Sequence, residues 1–210
     1  TWTRGSVTGT SDNATGLTAY TTYEYQVNSV CASGNSAYSA SATFTTTAAT
    51  VSYCTSKGSN SSYEWIDLVQ FGGINKTSGN DGGYKDNTSL VGTATRGSSS
   101  TIYISAGFAS TAYTEYWKVW IDFNQDGDFD DSGEQVVSGS SSSSGTLSAT
   151  VTVPATALLG TTRMRVSMKY NAAQTSCETF SYGEVEDYTV NIVNALMATN
   201  NSSVKATSLG

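Results

Sequence analysis

Tyr116-Trp117-Lys118-Val119-Trp120-Ile121-Asp122-Phe123 alternates with a period of two. Trp117, Val119, Ile121 and Phe123 take one side, and Tyr116, Lys118, Trp120 and Asp122 take the other. Successive side chains of a strand point to opposite faces, so the run predicts a β-strand with its odd residues in the core. Arg163–Lys169 repeats the pattern: Met164, Val166 and Met168 inward, Arg163, Arg165, Ser167 and Lys169 outward. Working outward, Tyr63–Phe71, Ser100–Ser105, Tyr113–Phe123, Gly145–Val153, Thr161–Tyr170 and Glu184–Val193 read as strands. Gly/Asn/Ser-rich loops at Gly72–Gly83 and Ser138–Gly145 separate them, with Ser140–Ser144 as a mobile hairpin tip. No amphipathic helical period occurs. Residues 51–194 are therefore expected to form an all-β, antiparallel two-sheet β-sandwich of jelly-roll-like form.

Composition agrees. Among 210 residues, Ser and Thr number 65 and Tyr 13, while His is absent and Pro occurs once. Hydroxyl residues suit exposed strand faces and aromatics suit sheet packing. Without His there is no Ser-His-Asp machinery and no His-ligated zinc. A net charge of −7 argues against nucleic acid and anionic lipid as partners. No run reaches the roughly 20 apolar residues of a membrane span, so no membrane insertion is expected. The sequence shows no signal peptide and no initiator Met, and reads as a piece of something longer.

Cys31, Cys54 and Cys177 stand far apart and form no C-x-x-C pair, against zinc knuckles and thioredoxin chemistry. A Cys54–Cys177 bridge would close a loop of over a hundred residues, worth about 4–5 kcal/mol in the chain-entropy model. Cys31 would then be unpaired, or paired outside this chain. Three buried free thiols are the alternative.

Residues 1–48 read as strand, turn, strand, turn, strand. Gly16-Leu17 forms a corner, Tyr23, Tyr25 and Val27 alternate before a slip to Val30, and Ser36-x-Tyr38-Ser39 leads to Ala42-Thr43-Phe44. These residues resemble the second half of a fibronectin type III domain, with Leu17 and Tyr23 as its tyrosine corner. The resemblance implies a partial fibronectin-type sandwich here. Residues 195–210 are polar and read as a linker toward a missing sorting domain.

The strongest chemical signal is Asp122-Phe123-Asn124-Gln125-Asp126-Gly127-Asp128-Phe129-Asp130-Asp131-Ser132-Gly133-Glu134. Ca²⁺ takes six to eight oxygens, and alternate Asp and Asn on a curling loop supply them. Asp122, Asn124, Asp126 and Asp128 occupy the first, third, fifth and seventh positions of an EF-hand-type loop, and Gly127 permits the bend. Asp130 joins the set. The twelfth position is Gly133, so Glu134 or a distant acid closes the site, on a strand scaffold without flanking helices. The alternative is a solvated acidic turn, which like-charge repulsion makes costly without a cation.

Gly183-Glu184-Val185-Glu186-Asp187-Tyr188 opens the last strand. Together with Tyr53-Cys54-Thr55, Glu64-Trp65-Ile66, Trp117–Asp122, the acidic loop and Thr162–Arg165, it resembles the GEVED domain. That family is a module of secreted multidomain proteins, mainly of Bacteroidetes. The resemblance implies an extracellular, non-catalytic accessory domain, secreted or at the cell surface through type IX secretion, attached to proteases, glycosidases or adhesins. From the residues themselves, Glu184 and Glu186 lie two apart and share a strand face. With Asp187 they could pair with Arg163 and Arg165 in a structural network, add calcium ligands, or act as a catalytic carboxylate pair.

The outward row of Tyr116, Trp120, Arg163, Arg165 and Lys169, with Trp65, suggests a face for an acidic polysaccharide or cell-surface glycan. Rings stack on sugar faces, and guanidinium groups take carboxylate or sulfate. The rival reading is a structural or adhesive spacer whose only ligand is calcium, and a glycoside hydrolase is the outsider. Exposure of Trp120 separates the first two.

Overall fold

The computed structural model describes residues 14, 17, 21–47 and 51–195. The chain divides into two compact units at Thr50. Among the described residues no helix is long and apolar enough to cross a membrane. All but Ala195 of the linker expected at 195–210, and most of the Gly16–Tyr20 corner, lie outside the described residues.

In the first unit β1 (Thr22–Tyr25) pairs antiparallel with β4 (Ala42–Thr45). Between them β2 (Val30–Cys31) and β3 (Gly34–Asn35) form a short hairpin. The strands are shorter than their alternation suggests, because serine hydroxyls take over the ladder. Ser39 Oγ accepts from Val27 N and Ser36 Oγ from Ser29 N. Tyr23 and Tyr25 both pack on Phe44, at 5.8 and 6.2 Å between ring centres, while Val27 and Val30 are exposed. Cys31 is a free, exposed thiol.

The second unit is a two-sheet β-sandwich. Its larger sheet orders β11 (Gln135–Ser141), β10 (Glu115–Ile121), β13 (Gly160–Tyr170), β14 (Thr179–Val193) and β5 (Lys57–Asn60), with β8 (Tyr84–Thr95) also on β14. The smaller orders β12 (Leu147–Thr152), β9 (Ser99–Phe108), β6 (Glu64–Phe71) and β7 (Ile74–Thr77). Most pairings are antiparallel, but β14 runs parallel to both β5 and β8. The Ser140–Ser144 segment joins β11 to β12 and so crosses between the sheets, rather than closing a hairpin within one. The Gly72–Gly83 loop contains β7.

The core lies where period-two parity places it. Trp117, Val119, Ile121 and Phe123 are buried, as are Met164, Val166 and Met168, against Ile66, Val69, Phe71, Ile102 and Ile104 of the smaller sheet. Gly183 marks where β14 changes partner. It has φ +119, and a Cβ there would strike the Met168 carbonyl. Only glycine lets the strands approach so closely.

Candidate functional site

The acidic loop joins β10 to β11, and two buried rings anchor it. Phe123 enters the core, and Phe129 packs on the outer side of the sheet against Tyr53 and Trp120, at 5.2 and 6.4 Å. Asp122, wholly buried, organises the turn. Its Oδ1 accepts from Gln125 N at 2.6 Å, and its Oδ2 from Tyr53 Oη at 2.7 Å and Gly127 N at 3.1 Å. Gln125 and Gly127 both sit at positive φ. Asn124 and the next acids form a staircase of side-chain-to-backbone turns: Asn124 Oδ1 accepts from Asp126 N, Asp126 Oδ1 from Asp128 N, and Asp128 Oδ1 from Asp130 N.

Carboxylate oxygens of Asp126, Asp128 and Asp131 come within 4.8 Å of one another at the exposed tip. Asn124 Nδ2 donates to Asp126 and Asp131 at 2.9 and 2.6 Å, which partly offsets their repulsion. The cluster therefore differs from the expected set. Asp131 belongs to it, although the alternate-residue spacing passes over it. Asp122 spends its oxygens on the turn, and Asp130 Oδ1 faces Ser176 Oγ at 3.5 Å. Glu134 is buried; Oε1 accepts from Phe123 N at 2.8 Å, and Oε2 has no hydrogen-bond partner among the described residues. Burial pushes the Glu134 carboxyl up to about 7.

The GEVED run splits between two faces of β14. Glu184 and Glu186 point into the sandwich. Glu184 Oε2 accepts from Ile66 N, where a bulge interrupts β6, and its Oε1 from Asp81 N and Gly83 N. Glu186 accepts from Ser78 Oγ at 3.0 Å and Tyr188 Oη at 2.7 Å. Burial raises both carboxyls, that of Glu186 to about 7. Asp187 faces the other way and takes both arginines. Arg165 donates from Nε and Nη2 at 2.7 and 2.8 Å, Arg163 from Nη1 at 2.9 Å, and Tyr84 Oη adds a third donor group at 3.2 Å. Pairing of Arg163 and Arg165 with Glu184 and Glu186 is thus corrected: strand parity puts those glutamates behind the sheet, and Asp187 is the cross-strand neighbour of Arg165.

The outward face is not open. Trp120 is 4% exposed and Arg165 2%. Phe129 and Lys118 lie against Trp120, while residues 51–57 border a partly open cavity of about 350 Å³ with Tyr84, Arg163, Arg165 and Asp187 on its walls. A Cys54–Cys177 disulfide ties this strap down. Arg165 Nη1 donates to Ser176 O at 2.7 Å, and Arg163 lies over the Tyr53 ring at 4.6 Å. Lys169 pairs with Glu178 at 2.5 Å. Tyr116 is half-buried, its carbonyl held by Gln174 Nε2. Trp65 is half-buried on β6, in the other sheet. Parity gives each direction correctly, but it is blind to a strap arriving from elsewhere in the chain. The open glycan face expected from Tyr116, Trp120, Arg163, Arg165 and Trp65 is not found: Trp120 and Arg165 are buried, both arginines pair with Asp187, and Trp65 lies on the other sheet.

One buried pair escapes sequence reasoning. Glu64 and Glu115, 2% and 0% exposed, sit at the ends of β6 and β10, on the core side. Both Glu115 oxygens and Glu64 Oε1 have no hydrogen-bond partner among the described residues. The available signal is parity, since Glu115 shares the inward phase of Trp117. Burial, then the neighbouring Glu64, pushes the Glu115 carboxyl up to about 8. The sign follows directly. A raised folded value means the stability is fully present below the unfolded value of 4.5 and is lost as pH rises toward about 8. Glu186, raised to about 7, acts in the same direction. Unfolding free energy should fall across pH 5–8, and Glu115→Gln should stabilise at pH 9 by roughly 2–4 kcal/mol, at about 1.4 kcal/mol per unit. Urea melts at pH 5 and 9 measure this; identical pH slopes for parent and variant would refute it.

Fold and site define a disulfide-tied β-sandwich with an acidic loop between two strands of its larger sheet. A family model described as the GEVED domain matches residues 116–191, from β10 into β14. The match covers 76 of the 210 residues and makes this stretch similar to GEVED domains, accessory modules of extracellular proteins. The matched stretch holds the acidic loop, both arginines and the Gly183–Asp187 run, while β5–β9 of the same unit precede it. A search of curated proteins returned no match.

Proposed function

We propose that this chain is a calcium-stabilised, non-catalytic accessory module of a secreted multidomain protein, working as a structural or adhesive spacer between attached domains. Residues 1–48 fit the same reading as part of a fibronectin type III domain. The observation that carries the calcium reading is the meeting of Asp126, Asp128 and Asp131 at one loop tip. Such a cluster of carboxylates is costly without a cation, and an all-oxygen donor set suits a hard ion. Asn124 Oδ1 is the neighbouring neutral donor, already directed into the turn. Glu134, with its unpartnered buried oxygen behind the loop, is a further acid that a cation would satisfy. Calcium would tie the tip of the β10–β11 loop together and so fix its conformation.

A ligand that binds only the native state stabilises it by about 2.7 kcal/mol at a hundredfold excess over Kd. For a unit of this size that is roughly 5–10 °C in Tm. Excess EGTA should lower Tm by that amount relative to millimolar Ca²⁺, and Asp126→Ala should melt at the lower temperature in both buffers. A parent protein whose melting ignores both calcium and chelator would end the reading.

A further inference from the structure

Four tyrosines form a continuous exposed strip at one end of the sandwich. Tyr63 contacts Tyr182 at 5.8 Å, Tyr182 contacts Tyr170 at 6.3 Å, and Tyr170 contacts Tyr113 at 5.4 Å, all edge to face. Tyr63, Tyr182 and Tyr170 are 49%, 40% and 39% exposed, and Tyr113 is half-buried. Scattered surface aromatics need no explanation, but a connected row is an apolar patch. The rings come from four separate segments: the approach to β6, the β9–β10 connection, the end of β13 and the first part of β14. Among the described residues none of their hydroxyls has a hydrogen-bond partner.

The chemistry around the strip narrows its occupant. Residues 58–63, 109–114, 170–175 and 179–182 contain no charged residue, in a chain of net charge −7. They contain no Leu, Ile, Val, Met, Arg or Trp either; apart from the tyrosines and the buried Phe180, they are Gly, Ala, Ser, Thr, Asn and Gln. Protein-binding patches use Tyr too, but beside Trp, Phe, Met and Arg around a desolvated core. A strip of phenol rings with free hydroxyls and small amide and hydroxyl neighbours instead matches a polymer with apolar C–H faces and many neutral hydroxyls. We infer that Tyr63, Tyr113, Tyr170 and Tyr182 form a binding strip for a neutral polysaccharide chain. This deepens the accessory-module reading by giving the module a ligand surface, and it is independent of calcium. The acidic glycan expected from sequence has no counterpart here, since the arginines meant for it are paired to Asp187.

The test is affinity electrophoresis in gels containing hydroxyethylcellulose, arabinoxylan, starch or polygalacturonate, run with calcium present. At least one neutral polymer should retard the protein, with Kd in the micromolar to millimolar range, and polygalacturonate should not. Retardation should persist in 0.5 M NaCl, because no ion pair contributes. Tyr182→Ala, at the centre of the strip, should weaken binding about tenfold or more, and Tyr63→Ser serves if Tyr182→Ala fails to fold. Tyr103→Ala, at an exposed tyrosine of β9 on no strip, should bind as the parent does. No retardation by any neutral polymer, retardation by polygalacturonate alone, or unchanged binding in both strip variants overturns the inference. Loss of the EGTA effect on Tm with retained retardation would remove the calcium reading and leave this one standing.

Discussion

Asp187→Ala should be the most destabilising single substitution in the GEVED run, at about 3–5 kcal/mol, the usual cost of removing one partner from a buried ion pair. Arg165 is 2% exposed and donates two bonds to Asp187. Removing the carboxylate strands that buried guanidinium beneath the strap, with the Ser176 carbonyl and the weakly accepting Cys54 sulfur left to it among the described residues. Arg163, more open to water, loses the same acceptor but can turn outward. Replacing a buried pair by apolar residues of similar volume is far cheaper than breaking it. Arg165→Met combined with Asp187→Leu should therefore be more stable than Asp187→Ala alone, and the double-mutant cycle measures the coupling. In thermal melts Asp187→Ala should lose roughly 10 °C or more. A loss within about 2 °C, with the double variant no better, would show the arginines to be adequately solvated.

The same site shows what the sequence can and cannot carry. Parity along Tyr116–Phe123 and Arg163–Lys169 separates core from outer face correctly, because the rule is local to one strand. Extended to Glu184–Asp187, it also separates the glutamates from the arginines; grouping all three acids in one network overlooks that period. What covers the outer face is not local. The strap begins at Val51 and is tied at Cys177 by the bridge that the cysteines announce, but no pattern in either stretch says which face of the sheet it borders. The missed strands fail for another reason. Tyr84–Thr95 lies parallel to β14, with Lys85, Asp86, Leu90 and Val91 exposed and Asn87 buried, so it shows no clean alternation. Gln135–Ser141 is an edge strand rich in Ser. The loop acids are legible as a group but not as a geometry: Asx turns send alternate oxygens to the backbone, which removes Asp122 from the tip and admits Asp131.

Opening the Cys54–Cys177 bridge should have the second large effect, through two separable routes. The bridge spans 123 positions. In the chain-entropy model a loop of that size is worth about 4–5 kcal/mol, through restriction of the unfolded chain. The second route is in the native state. Without the bridge, the strap stays on the sheet through Ser56 Oγ and Lys57 N to Glu178 O, and through Tyr53 to Asp122. Those contacts are modest beside the bridge, at about 1 kcal/mol each. A Cys54→Ala/Cys177→Ala protein, made with Cys31→Ser so that no other thiol interferes, should unfold at a much lower urea midpoint. If only the unfolded state changes, Trp120 stays covered and native fluorescence is unaltered. If the strap also lifts, Tyr53 leaves Phe129 and the ring against Trp120 is loosened, so emission shifts to the red and becomes open to acrylamide; Trp120→Phe identifies the responsible ring. The expected result is a loss of about 3 kcal/mol or more with little change in native emission, because Ser56, Lys57 and Tyr53 still hold the strap. A bridge-free protein with the parent's midpoint would mean that the strap, and not the crosslink, carries this edge of the fold.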